Sequence, residues 1–456
     1  MSADELPVVI DRTSPIPLAV QVARALRDAA THGGVRTGDR LPSSRALATR
    51  LGVSRTVTAA AYDQLHSEGW IAGRHGSGTY VTAAPARVLS GFDVARSDPA
   101  LPERIDLVAR TPSIDAIDPA AWRRAWRAAA DRPPERRPQR GGIPEYRAAV
   151  AEHLLRHRGL VAGDSVLASA GTSSATGELA MAVLAPGDLV AVENPGYGRA
   201  VGALTAAGMR VLPVPVDGDG LCIDAIPDGV RAVFCTPAHQ FPMGARMPAG
   251  RRVALIERAR RDGWLIIEDD YDSELRYDSA PLPLLAALGP DVVAHLGTTS
   301  KILTPTLGVG WLAAPAEVID AVLAHRSRTG TGPAIAGQAI LAEFARGGDL
   351  ARHLRRIRRQ VAVRRATVVD ALRAASISVI GDDAGAHVVI PLPSATAEDD
   401  VVERGADLGL SLDGLARHFH SSPPYRHGIA LGYTACSSIE LASAMPPVAA
   451  LVRSRT

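Results

Sequence analysis

The stretch WLIIEDDYDSELRY, residues 264–277, runs from a mostly apolar segment, 264–268, straight into two further carboxylates and a phenol, Asp269, Asp270 and Tyr271. A short apolar run that breaks into chemically capable residues reads as a buried strand ending at a functional edge. The pattern recurs on both sides of it. Residues 189–193 precede Asn194-Pro195-Gly196-Tyr197, residues 232–235 precede Thr236-Pro237-Ala238-His239-Gln240, and residues 292–296 lead to Thr298-Thr299-Ser300-Lys301. Further apolar runs lie at 211–214 and 309–313, and helical stretches separate them all. Such alternation predicts an α/β domain with a mostly parallel sheet covered by helices. Ligands in open sheets of this kind bind beyond the carboxyl ends of the strands, so four strand ends are expected to share one pocket. From about residue 332 the pattern changes to a long arginine-rich helix, 350–374, followed by a smaller α+β unit.

With 456 residues the chain is long enough for two or three domains. Hydrophobic residues make up 46% and charged residues 21%, with a net charge of +2, which excludes wholesale disorder and makes any basic surface local. The acidic start MSADELPVVI does not read as a secretory leader, and no run of about 18 apolar residues occurs. A soluble, cytoplasmic protein is expected. The cysteines 222, 235 and 436 match no zinc or CxxC spacing and read as buried and inert. The basic residues are 49 arginines and one lysine, Lys301. A guanidinium cannot become a nucleophilic amine near neutral pH, whereas Schiff-base chemistry requires lysine.

Residues 17–82 read as helix, helix-turn-helix and wing. Ser43 or Ser44 caps a second helix that Gly52 ends, Ser54 caps a third, and a glycine-rich tip at 74–78 joins two short strands. Five arginines at 36, 40, 45, 50 and 55 face one acid, Asp39. Phosphate contacts give sequence-independent affinity, and the N-terminal residues of a recognition helix read base edges. The candidate DNA contacts are thus Arg45, Ser54, Arg55, Thr56 and, in the wing, Arg74. RLPSSRALATRLGVSRTVTAAAYDQLHSEGWIAGRHGSGTYV, residues 40–81, closely resembles the winged helix-turn-helix of GntR-type bacterial regulators. That resemblance spans residues 14–82 and implies a transcription factor binding operator DNA. The expected organisation is a DNA-binding domain at 1–82, a linker rich in alanine, proline and small residues at 83–103, and the α/β domain at 104–456.

A pyridoxal phosphate site needs an amine, a carboxylate for the ring nitrogen, a group near O3′, an aromatic face and phosphate donors. Lys301 supplies the amine, Asp269 or Asp270 a carboxylate, Tyr271 a phenol and Tyr197 a ring. Gly171-Thr172-Ser173-Ser174, before a helix expected from about Ala175, offers N–H groups and hydroxyls to an anion, joined by Thr298 and Ser300. The segments ENPGY, TPAHQFPMG, IIEDDYDSELRY, TTSKILTPTLGVGW and GGDLARHLRRIRRQVAVRR together resemble the MocR/GabR family. There the GntR-like domain is fused to a domain resembling fold-type I aminotransferases. The resemblance implies pyridoxal 5′-phosphate as cofactor, Lys301 as the aldimine lysine, and Asp269 as partner of the ring nitrogen. It implies Tyr271 as the O3′ contact, Tyr197 as the stacking ring, His239 or Gln240 beside the ring, Arg199 as an effector-carboxylate contact, and a homodimer.

Three positions depart from that family. Gly308 stands where an arginine usually grips the cofactor phosphate, a loss of about 1.5 to 3 kcal/mol. Ala430 stands where aminotransferases and GABA-responsive members place an arginine for the substrate carboxylate, with Arg426 a possible substitute. QRGGIPEYR lacks the tyrosine usual in the family's glycine-rich loop. His153 and His157, four apart, read as a surface pair rather than a zinc site, and the arginines between 346 and 365 as a solvated or dimer-facing helix. The expected function is a regulator that senses an amino compound or pyridoxal 5′-phosphate itself through an aldimine at Lys301, with at most slow half-transamination. The alternatives are an active aminotransferase carrying a DNA-binding domain and a regulator that binds an effector without the cofactor.

Overall fold

A computed structural model describes residues 8–31, 34–74, 78–82, 104–109, 112–277, 282–381, 384–421 and 423–455. The chain divides into two compact units, Met1–Pro99 and Ala100–Thr456. The expected linker at 83–103 and the wing residues 75–77 lie outside the described residues.

The first unit contains α1 (Leu18–Thr31), β1 (Arg40–Leu41), α2 (Ser44–Leu51), α3 (Arg55–Ser67), β2 (Ile71–Arg74) and β3 (Gly78–Val81). Ser43 Oγ accepts from Ala46 N and Ser54 Oγ from Val57 N, satisfying helix N–H groups that have no partner within the helix. Gly52 ends α2 in the left-handed conformation, φ 60°, which sets up the turn between the two helices. Two buried side chains fix the helix-turn-helix: Thr58 Oγ1 donates to Ser44 O at 2.8 Å, and Tyr62 Oη to Pro42 O at 2.7 Å. The β-sheet has the order β1-β3-β2 and is antiparallel. Val22, Leu26, Leu47, Ala61, Leu65, Ile71 and Val81 form its shared core.

The second unit begins with β4 (Ile105–Asp106), α4 (Pro119–Ala130), α5 (Pro144–Arg158), β5 (Val166–Ser169), α6 (Thr172–Val183), β6 (Leu189–Asn194), α7 (Gly198–Ala206), β7 (Arg210–Asp217) and β8 (Gly220–Leu221). It continues with β9 (Val230–Cys235), α8 (Ala249–Asp262), β10 (Leu265–Asp270), α9 (Leu285–Leu288), β11 (Val293–Thr298), β12 (Gly310–Ala313), α10 (Ala316–Thr329), α11 (Ile335–Arg346) and α12 (Asp349–Ala374). Last come β13 (His387–Leu392), α13 (Ala395–Asp407), β14 (Leu410–Ser411), β15 (His427–Gly432) and α14 (Ser438–Arg453). The main sheet has eight strands in the order β5-β12-β11-β10-β9-β6-β7-β8. Its centre, β11-β10-β9-β6-β7, is parallel, while β12 runs antiparallel to both neighbours. Buried on both faces, the central strands are mostly apolar until their carboxyl ends, where β6 and β10 turn to Glu193-Asn194 and Glu268-Asp269-Asp270. Two apolar layers flank the sheet, one led by Leu255, Ile266 and Trp311, the other by Leu179, Val190 and Leu296. The smaller unit packs α12, α13 and α14 around the antiparallel pair β13-β15.

The structure differs from the sequence expectations in places. β5 was not anticipated, and α6 starts at Thr172 rather than Ala175, because Ala175 N already bonds to Gly171 O. His153 is no surface residue: its Nε2 lies 3.2 Å from the buried Glu274. Within α12, Arg364 is buried, bonded to Thr434 O and Asp115, so the helix is not uniformly solvated. Cys235 and Cys436 are buried, whereas Cys222 is half-buried beside Asp217.

Candidate functional site

Beyond the carboxyl ends of the parallel strands lies a cavity of about 480 Å³. Its wall takes Thr172, Ser173 and Ser174 from the start of α6, and Tyr197 and Arg199 from the turn into α7. Asp269 and Tyr271 come from the end of β10, and Thr298, Ser300 and Lys301 from the end of β11. Ten residues chosen from sequence therefore share one space. Strand register accounts for this, since β6, β9, β10 and β11 all run the same way and finish at the same edge.

Asp269 and Asp270 point to opposite faces of the sheet. Asp270 is not turned to solvent as an outward-facing carboxylate would be; it is buried and paired with Arg158 at 2.6 Å, and accepts from Ser273 Oγ at 2.5 Å. Asp269 is equally buried, but its Oδ1 has no hydrogen-bond partner. Burial, reinforced by Asp270, Asp272 and Glu193, pushes the Asp269 carboxyl up to about 8. Glu193 is pushed up to about 7 by burial, and accepts from Thr236 Oγ1 at 2.6 Å.

Around Asp269 the wall is aromatic and hydroxylic. Phe241 packs edge-on against Tyr197 and Tyr271, with ring centroids 5.8 and 5.9 Å apart. Tyr197 Oη lies 3.1 Å from Ser173 Oγ, and burial raises its phenol above the ordinary range. Thr298 Oγ1 and Ser300 Oγ lie 2.9 Å apart. Gly171, at φ 121°, precedes α6 without a side-chain cap, which leaves the first N–H groups of that helix suited to an anion.

His239 and Gln240 do not line the cavity; Phe241 does. His239 sits one layer behind, 3.1 Å from Tyr271 Oη, and Gln240 bonds to Glu193 and Pro195 O. The sequence pattern alone could not set this register, because three consecutive side chains on one turn point different ways. Pro112 and Pro305 also line the wall and carried no sequence signal. Arg426 does not stand in for Ala430: it borders a separate cavity with Asp217 and Asp219. Ala430 is fully buried beneath Phe241, in a cluster with Val389 and Leu415. Gly308 ends the turn at Pro305–Leu307 with φ 60° and is not part of the wall.

In the first unit, Arg45, Ser54, Arg55 and Thr56 are exposed, the last two opening α3. The side chain of Arg74 lies outside the described residues. No described helix is long and apolar enough to cross a membrane.

A mostly parallel sheet whose strand ends gather a lysine, a buried carboxyl with one oxygen lacking a partner, a phenol and an uncapped helix N-terminus defines an aminotransferase-like domain, here following a winged helix-turn-helix. Residues 109–407 match the family of class I and II aminotransferases, and residues 18–81 the gntR family of bacterial regulatory proteins. The chain belongs to the MocR family of GntR-type regulators, which join these two domains. It is 34% identical to the pyridoxine biosynthesis transcriptional regulator PdxR of Corynebacterium glutamicum, over 94% of each chain. It is also 34% identical to a probable rhizopine catabolism regulatory protein, MocR, of Rhizobium meliloti, over 93% of this chain and 92% of that one. Among solved structures, an archaeal alanine:glyoxylate aminotransferase superposes with a TM-score of 0.71 at 25% identity, covering 77% of this chain and 91% of that one. The class I and II aminotransferase domain implies pyridoxal 5′-phosphate as its cofactor. The residues present fit that group: Asp269 Oδ1 lacks the donor that a ring N–H provides, and the N-terminus of α6 lacks a capping side chain.

Proposed function

We propose that this chain is a cytoplasmic, homodimeric transcriptional regulator that holds pyridoxal 5′-phosphate in the cavity and responds to an amino compound entering beside it. The observation that carries this reading is the convergence of Lys301 and Asp269, whose Oδ1 lacks a partner, on one space. When bound, the cofactor supplies an aldehyde carbon that condenses reversibly with a primary amine. Lys301 is the one lysine in the chain and the amine for that condensation. Asp269 accepts the ring N–H, which gives its Oδ1 a partner and favours its charged form. Tyr271 bonds at O3′, and Tyr197 stacks on the ring. Thr172, Ser173, Ser174, Thr298 and Ser300 hold the phosphate, and Arg199 supplies a cation for a carboxylate of the amino compound. Arg45, Ser54, Arg55, Thr56 and Arg74 contact operator DNA in this reading.

Sensing rather than turnover is supported by Ala430. Proton removal at Cα demands that the ligand carboxylate be held rigidly, and misplacement by about 1 Å costs roughly 100-fold in rate. The fully buried alanine offers no grip. Titrating purified protein with pyridoxal 5′-phosphate while following visible absorption, then footprinting upstream DNA with and without a panel of amines, tests the reading. A protein that stays colourless in excess cofactor overturns it, and so do multiple turnovers with a keto-acid acceptor at about 1 per second or faster.

A further inference from the structure

Tyr271 meets the cavity, but what decides which way its phenol hydrogen points lies behind it. His239, just past β9, Asp272, just past β10, and His387, the first residue of β13, bring one nitrogen or oxygen each to within 4.8 Å of one another. All three are at most 2% exposed. Two of these groups already bond to each other: His239 Nδ1 and Asp272 Oδ2 are 2.9 Å apart. The cluster is thus a hydrogen-bond chain, and its proton positions can be assigned from its partners.

A carboxylate only accepts, so His239 Nδ1 must carry a hydrogen, whether the imidazole is neutral or charged. Tyr271 Oη lies 3.1 Å from that same Nδ1. That one hydrogen is taken by Asp272, and a protonated Nδ1 has no lone pair to accept with, so the phenol hydrogen cannot point back toward His239. It turns instead to the cavity that Tyr271 lines. His387 closes the chain from the other side: burial and the neighbouring His239 hold it down at about 3, so it is neutral and donates Nε2–H to Pro242 O at 2.8 Å. With this assignment the atom left unpartnered on His387, Nδ1, is a lone pair rather than a hydrogen. An under-satisfied acceptor is the less costly kind of buried orphan. Packing holds the arrangement. Gly385, at φ 73°, lies so close that a Cβ there would sit 2.6 Å from Asp272 Oδ2 and clash with His239 Cε1.

We propose that the Asp272–His239 pair orients the Tyr271 hydroxyl as a donor into the cavity, selecting ring ligands that present an acceptor oxygen there. His239 and Asp272 are positioning residues; Tyr271 makes the contact. The inference rests on the cofactor assignment above and names the residues that enforce one feature of it.

The test compares affinities of the full-length protein for pyridoxal 5′-phosphate and for 3-deoxypyridoxal 5′-phosphate, which lacks the acceptor oxygen. The wild-type protein should prefer the former by roughly 10- to 100-fold, the range for one buried donor to a charged or neutral acceptor. Tyr271→Phe should abolish the preference. Asp272→Asn removes the charged acceptor that holds the hydrogen on Nδ1; with that hydrogen moved to Nε2, the single Nδ1 lone pair is open to the Tyr271 hydroxyl, whose hydrogen then turns away from the cavity. This variant should lose the preference as Tyr271→Phe does, and the double variant should lose no more. Should Asp272→Asn fail to accumulate as folded protein, His239→Phe removes the same orienting N–H, whereas His239→Asn keeps a donor near Nδ1 and should retain the preference. Equal loss of affinity for both compounds in Asp272→Asn, or an unchanged preference, overturns this inference alone. Wild-type protein that binds neither compound overturns the cofactor assignment and this inference with it.

Discussion

Asp269 and Asp270 are neighbours in sequence with opposite surroundings: Arg158 neutralises Asp270 at 2.6 Å, while Asp269 Oδ1 has no partner. Alternation along β10 sends one carboxylate to each face of the sheet, and only one face carries the cavity. Arg158 serves the face away from the cavity, and on the cavity face Asp269 Oδ1 is left for a ligand donor.

That asymmetry has a pH signature. The Asp269 carboxyl ordinarily sits near 3.8, and in the folded protein burial first, then Asp270, pushes it up to about 8. A raised folded value means the neutral form is favoured, so its contribution to stability is fully present below about 4 and is lost as pH rises through about 8. Asp269→Asn should flatten the difference. In the cofactor-free protein at pH 8 the variant should be more stable than wild type by roughly 1 to 3 kcal/mol, while near pH 4 to 5 the two should converge. Melting temperatures of both proteins across this range check the sign.

Lys301→Arg keeps the positive charge and removes the amine. It should abolish both the visible band with pyridoxal 5′-phosphate and the label retained after borohydride reduction. Operator binding by the first unit should persist, measured by gel shift, while any response to amines is lost.

Arg55→Ala removes an exposed guanidinium from the first turn of α3. If Arg55 reads a base edge, binding should weaken by about 1 to 3 kcal/mol and preference should relax at one base position, whereas a phosphate contact would weaken all sequences evenly and lower the salt slope. Binding to a randomised operator library at two salt concentrations separates these outcomes.

Installing arginines at the two departures should not simply recreate an aminotransferase. Ala430→Arg places a guanidinium in a fully buried apolar cluster with Val389, Leu415 and Phe241, and should destabilise the protein by about 3 kcal/mol or more. Gly308→Arg has open space, with no atom within 4 Å of its Cβ, but must hold φ 60°, which costs about 1 to 2 kcal/mol for a side chain. Any tightening of cofactor binding there should therefore accompany a lower melting temperature, and thermal unfolding with and without cofactor measures both.

Local patterning of the chain set most of the elements and their order. Apolar runs that break into polar residues located β6, β9, β10 and β11, and glycine and serine punctuation located α2 and α3, because strand burial and helix capping are local. The same locality placed Lys301, Asp269, Tyr197 and the hydroxyls at strand ends, where they now meet. Which atoms have partners, by contrast, emerges from the packing of distant segments. Arg158 lies far along the chain from Asp270, Ala430 is sealed under Phe241, and His239 faces Asp272 and His387 instead of the cavity. None of these relations repeats with a helical or strand period. They arise where distant segments are pressed together out of water, and there each polar group must take whichever partner the packing leaves within about 3 Å.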